Sequence, residues 1–479
     1  MDVREFAERI YLNLKYAPTD QQIELIGALA QFCSPEMPDD SVFLLCGYAG
    51  TGKTSLISAL TNALREASVP TVLMAPTGRA AKVLSEMSGQ RATTIHRRIY
   101  HAPADGAPLR YGSGEVAENT LRGAVFIVDE ASMIGDESGY SQSSLLEDLI
   151  QYVYTGEGCK MILLGDTAQL PPVGCEVSPA MEPKILRSFG LRVTRAVLTR
   201  TVRQASDSGI LYNATRLRHS LRRLEATQTP LPEPQIVVRG FNDVEIVQGE
   251  ELEDIISSAY SEYGEAGTLL VTRSNRRAKL YSLAIRQKIL GREEELCKGE
   301  RLLVARNNYL WSAKIKGLDF IANGDMATVE SVYGVEEKYG LRFADVRLSL
   351  TDRGGIEFDC KIMLDSLLSD AVSLEPERLN KLYNDILTDP DVFSDYTPMK
   401  TRMKMLRSNP YWGALQVKYA YAVTCHKSQG GQWPKVFVDM AGISSDAVKT
   451  VDFYRWLYTA VTRATVEVSF ISPQLKIID

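Results

Sequence analysis

No apolar run in the sequence approaches the ~20 residues that a membrane-spanning helix needs, so nothing in it reads as a membrane span. Its seven cysteines form no C-x-x-C pair. An odd, unspaced set argues against a disulfide framework and against structural zinc, and fits a reducing compartment. No solenoid-type repeat and no low-complexity tract is present. A basic excess is missing too: the net charge is −6 and the pI about 5.6, which speaks against a protein that coats nucleic acid. Binding follows the local field, however. Basic residues gather at Arg91, Arg97 and Arg98, at Arg216, Arg218, Arg222 and Arg223, and at Arg273, Arg276, Arg277 and Lys279. On charge alone, solvated helix faces are the plainer reading. The first residues, Met1-Asp2-Val3-Arg4-Glu5, begin a polar amphipathic helix rather than a signal peptide.

What is present is globular: 479 residues, 45% apolar and 24% charged, room for about three domains. Gly47-Tyr48-Ala49-Gly50-Thr51-Gly52-Lys53-Thr54 fits G-x-x-x-x-G-K-[ST]. The apolar run Val42–Cys46 before it reads as a buried strand, and the run from Thr54 to Glu66 reads as a helix. Glycines let such a loop turn its N–H groups toward a polyphosphate at a helix N-terminus. Lys53 would reach the β- and γ-phosphates, and the Thr54 hydroxyl would bind Mg²⁺.

Three further apolar runs repeat that logic. Thr71–Ala75 ends at Pro76-Thr77-Gly78, Ala124–Val128 at Asp129-Glu130, and Met161–Leu164 at Gly165-Asp166. Short continuous β-rich runs are the pattern of buried parallel strands. Ligands bind where such strands end. A second set, Thr268–Thr272, Tyr419–Val423, Lys435–Val438 and Val466–Phe470, reads as a second α/β domain with one long interruption. Inside that interruption, strands around Asn323-Gly324-Asp325 suggest a small β-barrel, and Leu374 to Leu406 reads as helical and charged. Ala102 to Gly114 reads as a surface hairpin or loop.

Placed after a strand in a P-loop protein, Asp129 would hold Mg²⁺ and Glu130 would polarise the attacking water. Gln169, in the run Gly165 to Pro172, would sense the γ-phosphate; an ordinary Gly-Asp-Pro turn is the alternative. Arg203 and Arg463 are cations of the kind a phosphoryl-transfer transition state needs. For either one alone, a surface ion pair is the commoner use.

With these residues in order, the chain resembles superfamily-one helicases, in the RecD-like, Dda-like and Pif-like branch. Thr19-Asp20-Gln21-Gln22 is similar to the family's adenine-reading motif, and Gly47 to Thr54 to its first motif. Ala75 to Ala81, followed by Thr94-Ile95-His96, resembles the next. Val128 to Met133, Gly165 to Pro172, Thr272 to Ala278, Val423 to Gly430 and Tyr458 to Arg463 resemble motifs two to six. The resemblance runs from Thr19 to Ala464.

It implies an α/β fold: two tandem RecA-like P-loop domains, a hairpin inserted in the first, and a small Src-homology-like β-barrel with a helical arm inserted in the second. The expected division is residues 1–190 with a pin at about 97–120, residues 191–290 plus 415–479, and an insertion at 291–414. The implied ATPase centre is Lys53, Thr54, Asp129, Glu130, Gln169, Arg203 and Arg463, with Mg²⁺ on Thr54 and Asp129. Gln22, Gly47, Ala49, Gly50, Thr51, Gly52, Ser55, Gln429 and Gly430 would complete ATP binding. Pro76, Thr77, Arg79, Thr94, His96, Asn275, Thr424, His426 and Lys427 would face single-stranded DNA, and Tyr100, His101 and Tyr111 are wedge candidates.

The implied activity is ATP-driven 5′→3′ movement on single-stranded DNA with unwinding at duplex junctions, by a monomer in the cytoplasm of a bacterial or phage-infected cell, in repair, replication or recombination. Three competitors stand beside it: a translocase that displaces proteins, a nucleotide-dependent binding switch, and RNA as the track. The sequence departs from the family at Gly430-Gly431-Gln432, where Gly-Ser-Glu is usual, which puts discrimination of the nucleotide sugar in doubt. A long N-terminal extension found in some RecD-like relatives is not expected.

Overall fold

The computed structural model describes residues 2–100, 116–135, 143–201, 208–227, 231–315, 318, 320–351, 354–394, 396–444, 446–473 and 475–478. None of the described helices is long and apolar enough to cross a membrane.

The first lobe runs α1 (Val3–Leu12), α2 (Asp20–Phe32), β1 (Ser41–Gly47), α3 (Lys53–Glu66), β2 (Thr71–Ala75), α4 (Gly78–Ser88), β3 (Ala92–Thr94), α5 (Ile95–Ile99), β4 (Val125–Val128), α6 (Leu145–Tyr154), β5 (Lys160–Gly165), α7 (Pro183–Ser188) and β6 (Arg192–Leu198). Its six strands are all parallel, in the order β3-β2-β4-β5-β1-β6. Every residue of β1, β4 and β5 is buried, because helices cover both faces of a parallel sheet. The strands therefore read as continuous apolar runs, and their carboxyl ends open on one edge.

The first boundary, expected at 190, lies further on. β6 pairs with β1 from Ser41↔Arg192 to Gly47↔Leu198, so the first sheet ends at Leu198. β6 is an edge strand and only partly buried, and its polar residues hid it among the apolar runs.

The second lobe begins with α8 (Gly209–Thr227), β7 (Gln235–Val237), β8 (Val244–Val247), α9 (Leu252–Gly267), β9 (Thr268–Thr272) and α10 (Asn275–Ala284). The insertion follows: β10 (Arg301–Val304), β11 (Met326–Lys338), β12 (Leu341–Leu350), β13 (Ile356–Met363), α11 (Asp365–Leu368), α12 (Pro376–Leu387), α13 (Met399–Arg407) and β14 (Leu415–Tyr419). The chain then returns through β15 (Ala422–Thr424), α14 (Cys425–Ser428), β16 (Trp433–Asp439), α15 (Val451–Val461), β17 (Ala464–Ile471) and β18 (Lys476–Ile478). β15-β9-β16-β17-β8 form a second parallel sheet, and β10 to β14 close a barrel.

The second boundary, expected between 414 and 415, also moves. β14 pairs with β10 and β13, so the barrel ends at Tyr419. The single strand expected at Tyr419–Val423 is divided: Tyr419 closes the barrel, and Ala422–Thr424 joins β9. Between them Tyr421 is fully buried and donates its hydroxyl to Glu300 at 2.7 Å. Gly324, at φ +95°, turns the chain into β11, and the Asp325 carboxylate accepts the Ala322 N–H at 2.8 Å. The helical stretch 374–406 is two helices; Leu374, Leu382, Ile386 and Leu406 pack on Leu341, Phe343 and Met363 of the barrel.

The cores cross these divisions. Leu270, Ala422 and Phe437 of the second sheet share one cluster with the barrel interior. Tyr48, Ala168 and Leu170 of the first lobe sit in the cluster that fills the second. The barrel and second lobe thus share one apolar interior, and the lobes meet along an apolar seam.

Candidate nucleotide and nucleic-acid sites

The phosphate loop joins β1 to α3. Gly50 and Gly52 adopt φ of +74° and +80°, which only glycine takes at little cost. Gly52 ends in the left-handed region as the residue before α3, so the helix N-terminus opens toward the loop. Lys53 folds back and donates to the carbonyls of Gly47 and Tyr48. Thr54 and Ser55 lie part-exposed in the first turn of α3, while Thr51 is buried and donates its hydroxyl to the Tyr48 carbonyl at 2.8 Å.

Gln22 is wholly buried and serves two purposes. With Thr19 it forms the capping box that starts α2, and its amide donates to the Thr51 carbonyl at 3.1 Å. It therefore ties α2 to the phosphate loop. Gln21 accepts the N–H groups of Thr199 and Arg200 at 3.1 and 3.0 Å.

Asp129 and Glu130 follow β4. The Asp129 carboxylate accepts the Glu130 N–H at 2.8 Å, and Glu130 stands at φ +53°, a left-handed conformation uncommon outside glycine. Burial, then the Asp129 charge, pushes the Glu130 carboxyl up to about 7, with Arg463 and Lys53 pulling the other way. Burial raises Asp129 too, against the Glu130 N–H and Lys53. Glu130 thus lies in the fields of Asp129, Lys53 and Arg463. Arg463 is 3% exposed and donates to the carbonyls of Thr459 and Gly431, both at 3.0 Å. Arg203 lies outside the described residues.

Gln169 is buried beside Ser132, Asp166 and Ser178 in a small polar cavity. Its neighbours carry the seam. Leu170 donates its N–H to the Thr459 hydroxyl at 2.8 Å, and its carbonyl accepts the Gln429 amide at 2.7 Å. The Tyr458 hydroxyl donates to Asp166 at 2.6 Å and accepts the Ala49 N–H at 2.9 Å. Gly430, at φ +73°, lies so close to α4 that a Cβ there would stand 3.2 Å from the Thr77 hydroxyl.

The residues expected to face DNA lie on both lobes and under the barrel. Pro76 precedes Thr77, which caps α4 through the Ala80 N–H at 3.2 Å. Thr94 is buried and caps α5 through Arg97. Arg79 is also buried, stacked 5.0 Å over Trp433 and donating to Gly324 of the barrel turn. His96 packs against Tyr100 and against Phe320 of the insertion, and burial lowers it to about 4, keeping the ring neutral. Across the seam, Asn275 opens α10, Thr424 precedes α14, and desolvation lowers His426 below its ordinary value. Lys427 donates to Asn323 of the barrel turn, and burial lowers it to about 8. Asn275, Thr424 and Lys427 line one cleft with Lys279 and Lys418.

Of the wedge candidates, Tyr100 donates its hydroxyl to Asp148 at 2.6 Å and bridges Val116 at the base of the expected pin. His101 and Tyr111 lie outside the described residues.

Sequence reasoning missed Arg218. It counted as part of a solvated helix face, yet it is 5% exposed, lies 4.7 Å over the Tyr48 ring and donates to the Thr199 carbonyl at 2.9 Å. The signal was its spacing: on α8 it falls in register with buried Ala214, Leu217 and Leu221, not with exposed Arg222. Tyr458 and Asp166 were visible within their motifs but carried no assigned role.

Two parallel α/β lobes meet at a phosphate loop, with an acidic pair on one side and a buried arginine on the other, which is the architecture of a two-lobed P-loop protein. Residues 20–228 match a family model described as "AAA domain", and residues 419–471 one described as "UvrD-like helicase C-terminal domain". The chain is 32% identical over 176 residues to "ATP-dependent RecD2 DNA helicase" of Deinococcus radiodurans, covering 37% of this chain and 21% of that protein. It is 31% identical over 128 residues to "ATP-dependent DNA helicase dda" of Enterobacteria phage T4, covering 26% of this chain and 27% of that protein. The matched stretch thus spans about a quarter or less of these relatives. A solved structure described as "Crystal structure of Pif1 helicase from Bacteroides in complex with ADP-AlF3 and ssDNA" is 15% identical with a TM-score of 0.48, covering 97% of this chain and 95% of that one. Over these stretches the chain is thus similar to helicases of the RecD2 and Dda kinds.

Proposed function

We propose that this chain is an ATP-dependent DNA helicase that moves along single-stranded DNA, 5′→3′ as the resemblance implies, and opens duplex at junctions. The observation that carries this reading is that the second lobe is hydrogen-bonded to the phosphate loop itself, through Tyr458 to Ala49 and Asp166, five residues before Arg463, whose charge reaches Glu130. One nucleotide there would touch both lobes.

The roles follow from the chemistry. Lys53, which now satisfies its ammonium on Gly47 and Tyr48 carbonyls, exchanges them for phosphate oxygens. Thr54 and Asp129 offer the hard oxygen donors that suit Mg²⁺; the ion, when bound, neutralises charge on the phosphates. Glu130, at its left-handed turn, orients the attacking water. Arg463, already desolvated, stabilises charge that grows on the transferring phosphate. With nucleotide bound the arginine draws the lobes together, and after hydrolysis that attraction weakens. Thr77 and Thr94 on one lobe and Thr424 and His426 on the other then grip the strand in turn. Contacts to phosphates and stacked bases give little sequence preference and strong salt dependence. A monomer working inside the cell suffices for this cycle.

The test is ATP turnover with and without single-stranded DNA, run beside single-stranded RNA, followed by unwinding of forked duplexes with 5′ or 3′ tails. Stimulation by DNA and opening of the 5′-tailed substrate are expected. Absence of stimulation by DNA rejects the proposal.

A further inference from the structure

We propose that Tyr458 is a positioning residue that makes the placement of Arg463 depend on the state of the phosphate loop. The inference rests on the two-lobed motor reading above and names a connection within it.

Tyr458 is 1% exposed and lies on α15 of the second lobe. Its hydroxyl is held by two groups of the first lobe. It donates to one Asp166 oxygen at 2.6 Å and accepts the Ala49 N–H, inside the phosphate loop, at 2.9 Å. The other Asp166 oxygen accepts the Ala168 N–H at 3.0 Å, so the carboxylate is fixed at the end of β5. Burial and Asp166 hold the phenol well above its ordinary pKa, which keeps the proton that it donates. The ring itself belongs to the apolar cluster at the seam, with Tyr48 and Leu170.

Five residues further on, where α15 has just ended, stands Arg463. Its Nε donates to the carbonyl of Thr459, the residue after Tyr458, and the Thr459 hydroxyl accepts the Leu170 N–H. Tyr458 and Arg463 are therefore linked through one turn of backbone. A phosphate loop that shifts at Ala49 moves the acceptor it holds, and the helix end that carries the arginine moves with it. A phenol hydroxyl suits this task because it donates to a carboxylate and accepts from an amide at once. Phenylalanine would keep the ring and its packing but make neither bond.

The test is Tyr458→Phe in the full chain, with Asp166→Asn as a second variant that keeps side-chain shape. DNA-stimulated kcat should fall about ten-fold while KM for ATP stays within about two-fold and the melting temperature within a few degrees. Combining the two substitutions should cost no more than the worse one alone, because both break one connection. Equal changes in kcat and KM, a large loss of melting temperature, or additive losses would mean that Tyr458 only packs the seam. Unchanged kcat in Tyr458→Phe would also overturn the inference. Wild-type turnover without DNA stimulation would instead reject the motor reading, and this inference with it.

Discussion

The carboxylate of Asp129 accepts the backbone N–H of Glu130 at 2.8 Å, so the two acids are locked into different orientations although they are neighbours in sequence. One Asp129 oxygen is held by the chain, while Glu130, at φ +53°, lies in the field of Arg463. This division of labour predicts separable defects. Glu130→Gln should bind ATP and fail to turn it over. Arg463→Ala should lower DNA-stimulated kcat by roughly 10³-fold, the lower end for a cation at a transferring phosphate. Nucleotide binding by fluorescence titration and turnover by phosphate release check both; near-normal turnover in Arg463→Ala would remove that arginine from the ATPase centre.

Lys427 gives a pH dependence. Burial depresses it to about 8 from an ordinary 10.5, so in the free protein the ammonium loses its proton as pH rises through 8. A bound phosphate favours the charged form. Affinity for single-stranded DNA should therefore be flat up to about pH 7.5 and fall above 8, with uptake of up to about one proton on binding. Fluorescence anisotropy at fixed salt measures this. Lys427→Gln should flatten the profile and reduce the salt slope by about 0.7, one single-strand phosphate contact.

Gly430 of the second lobe lies against α4 of the first. It stands at φ +73°, and a Cβ added there would lie 3.2 Å from both the Thr77 hydroxyl and the Ala80 Cβ, so alanine is strained by backbone and by contact alike. Gly430→Ala should cost ~1–2 kcal/mol from the left-handed conformation alone and should lower DNA-stimulated turnover more than that stability loss explains. Thermal unfolding beside ATPase kinetics separates the two.

The joint between barrel and second lobe holds a buried ion pair. Arg286 donates to Glu300 at 2.8 and 2.9 Å, and Tyr421 donates to the same carboxylate. The arginine and glutamate side chains are 3% and 0% exposed. Glu300→Ala strands a buried guanidinium and should cost about 3–5 kcal/mol, read as a lower urea midpoint. Replacing both partners, as Arg286→Met with Glu300→Leu, should recover much of that loss.

The glycines at 50 and 52, the apolar runs that became β1, β2, β4 and β5, and the polar residues at their ends were all legible in the sequence. Each depends on local chemistry: left-handed φ, burial on both faces, a strand that must stop. β6 was not legible, because an edge strand half in solvent has no continuous apolar run. Arg218 was not either, because its charge suggested solvent while its helical register put it over Tyr48.

The amino-acid order alone determined that a phosphate loop, an acidic pair and a C-terminal arginine occur in one chain, since each rests on residues adjacent in sequence. Only the folded chain decided that Tyr458 meets Ala49, 409 positions away, that Arg79 lies between Trp433 and the barrel turn, and that the barrel shares its core with the second lobe. Those relations arise where parallel sheets bury their faces against distant segments, and no local pattern encodes which distant segment arrives.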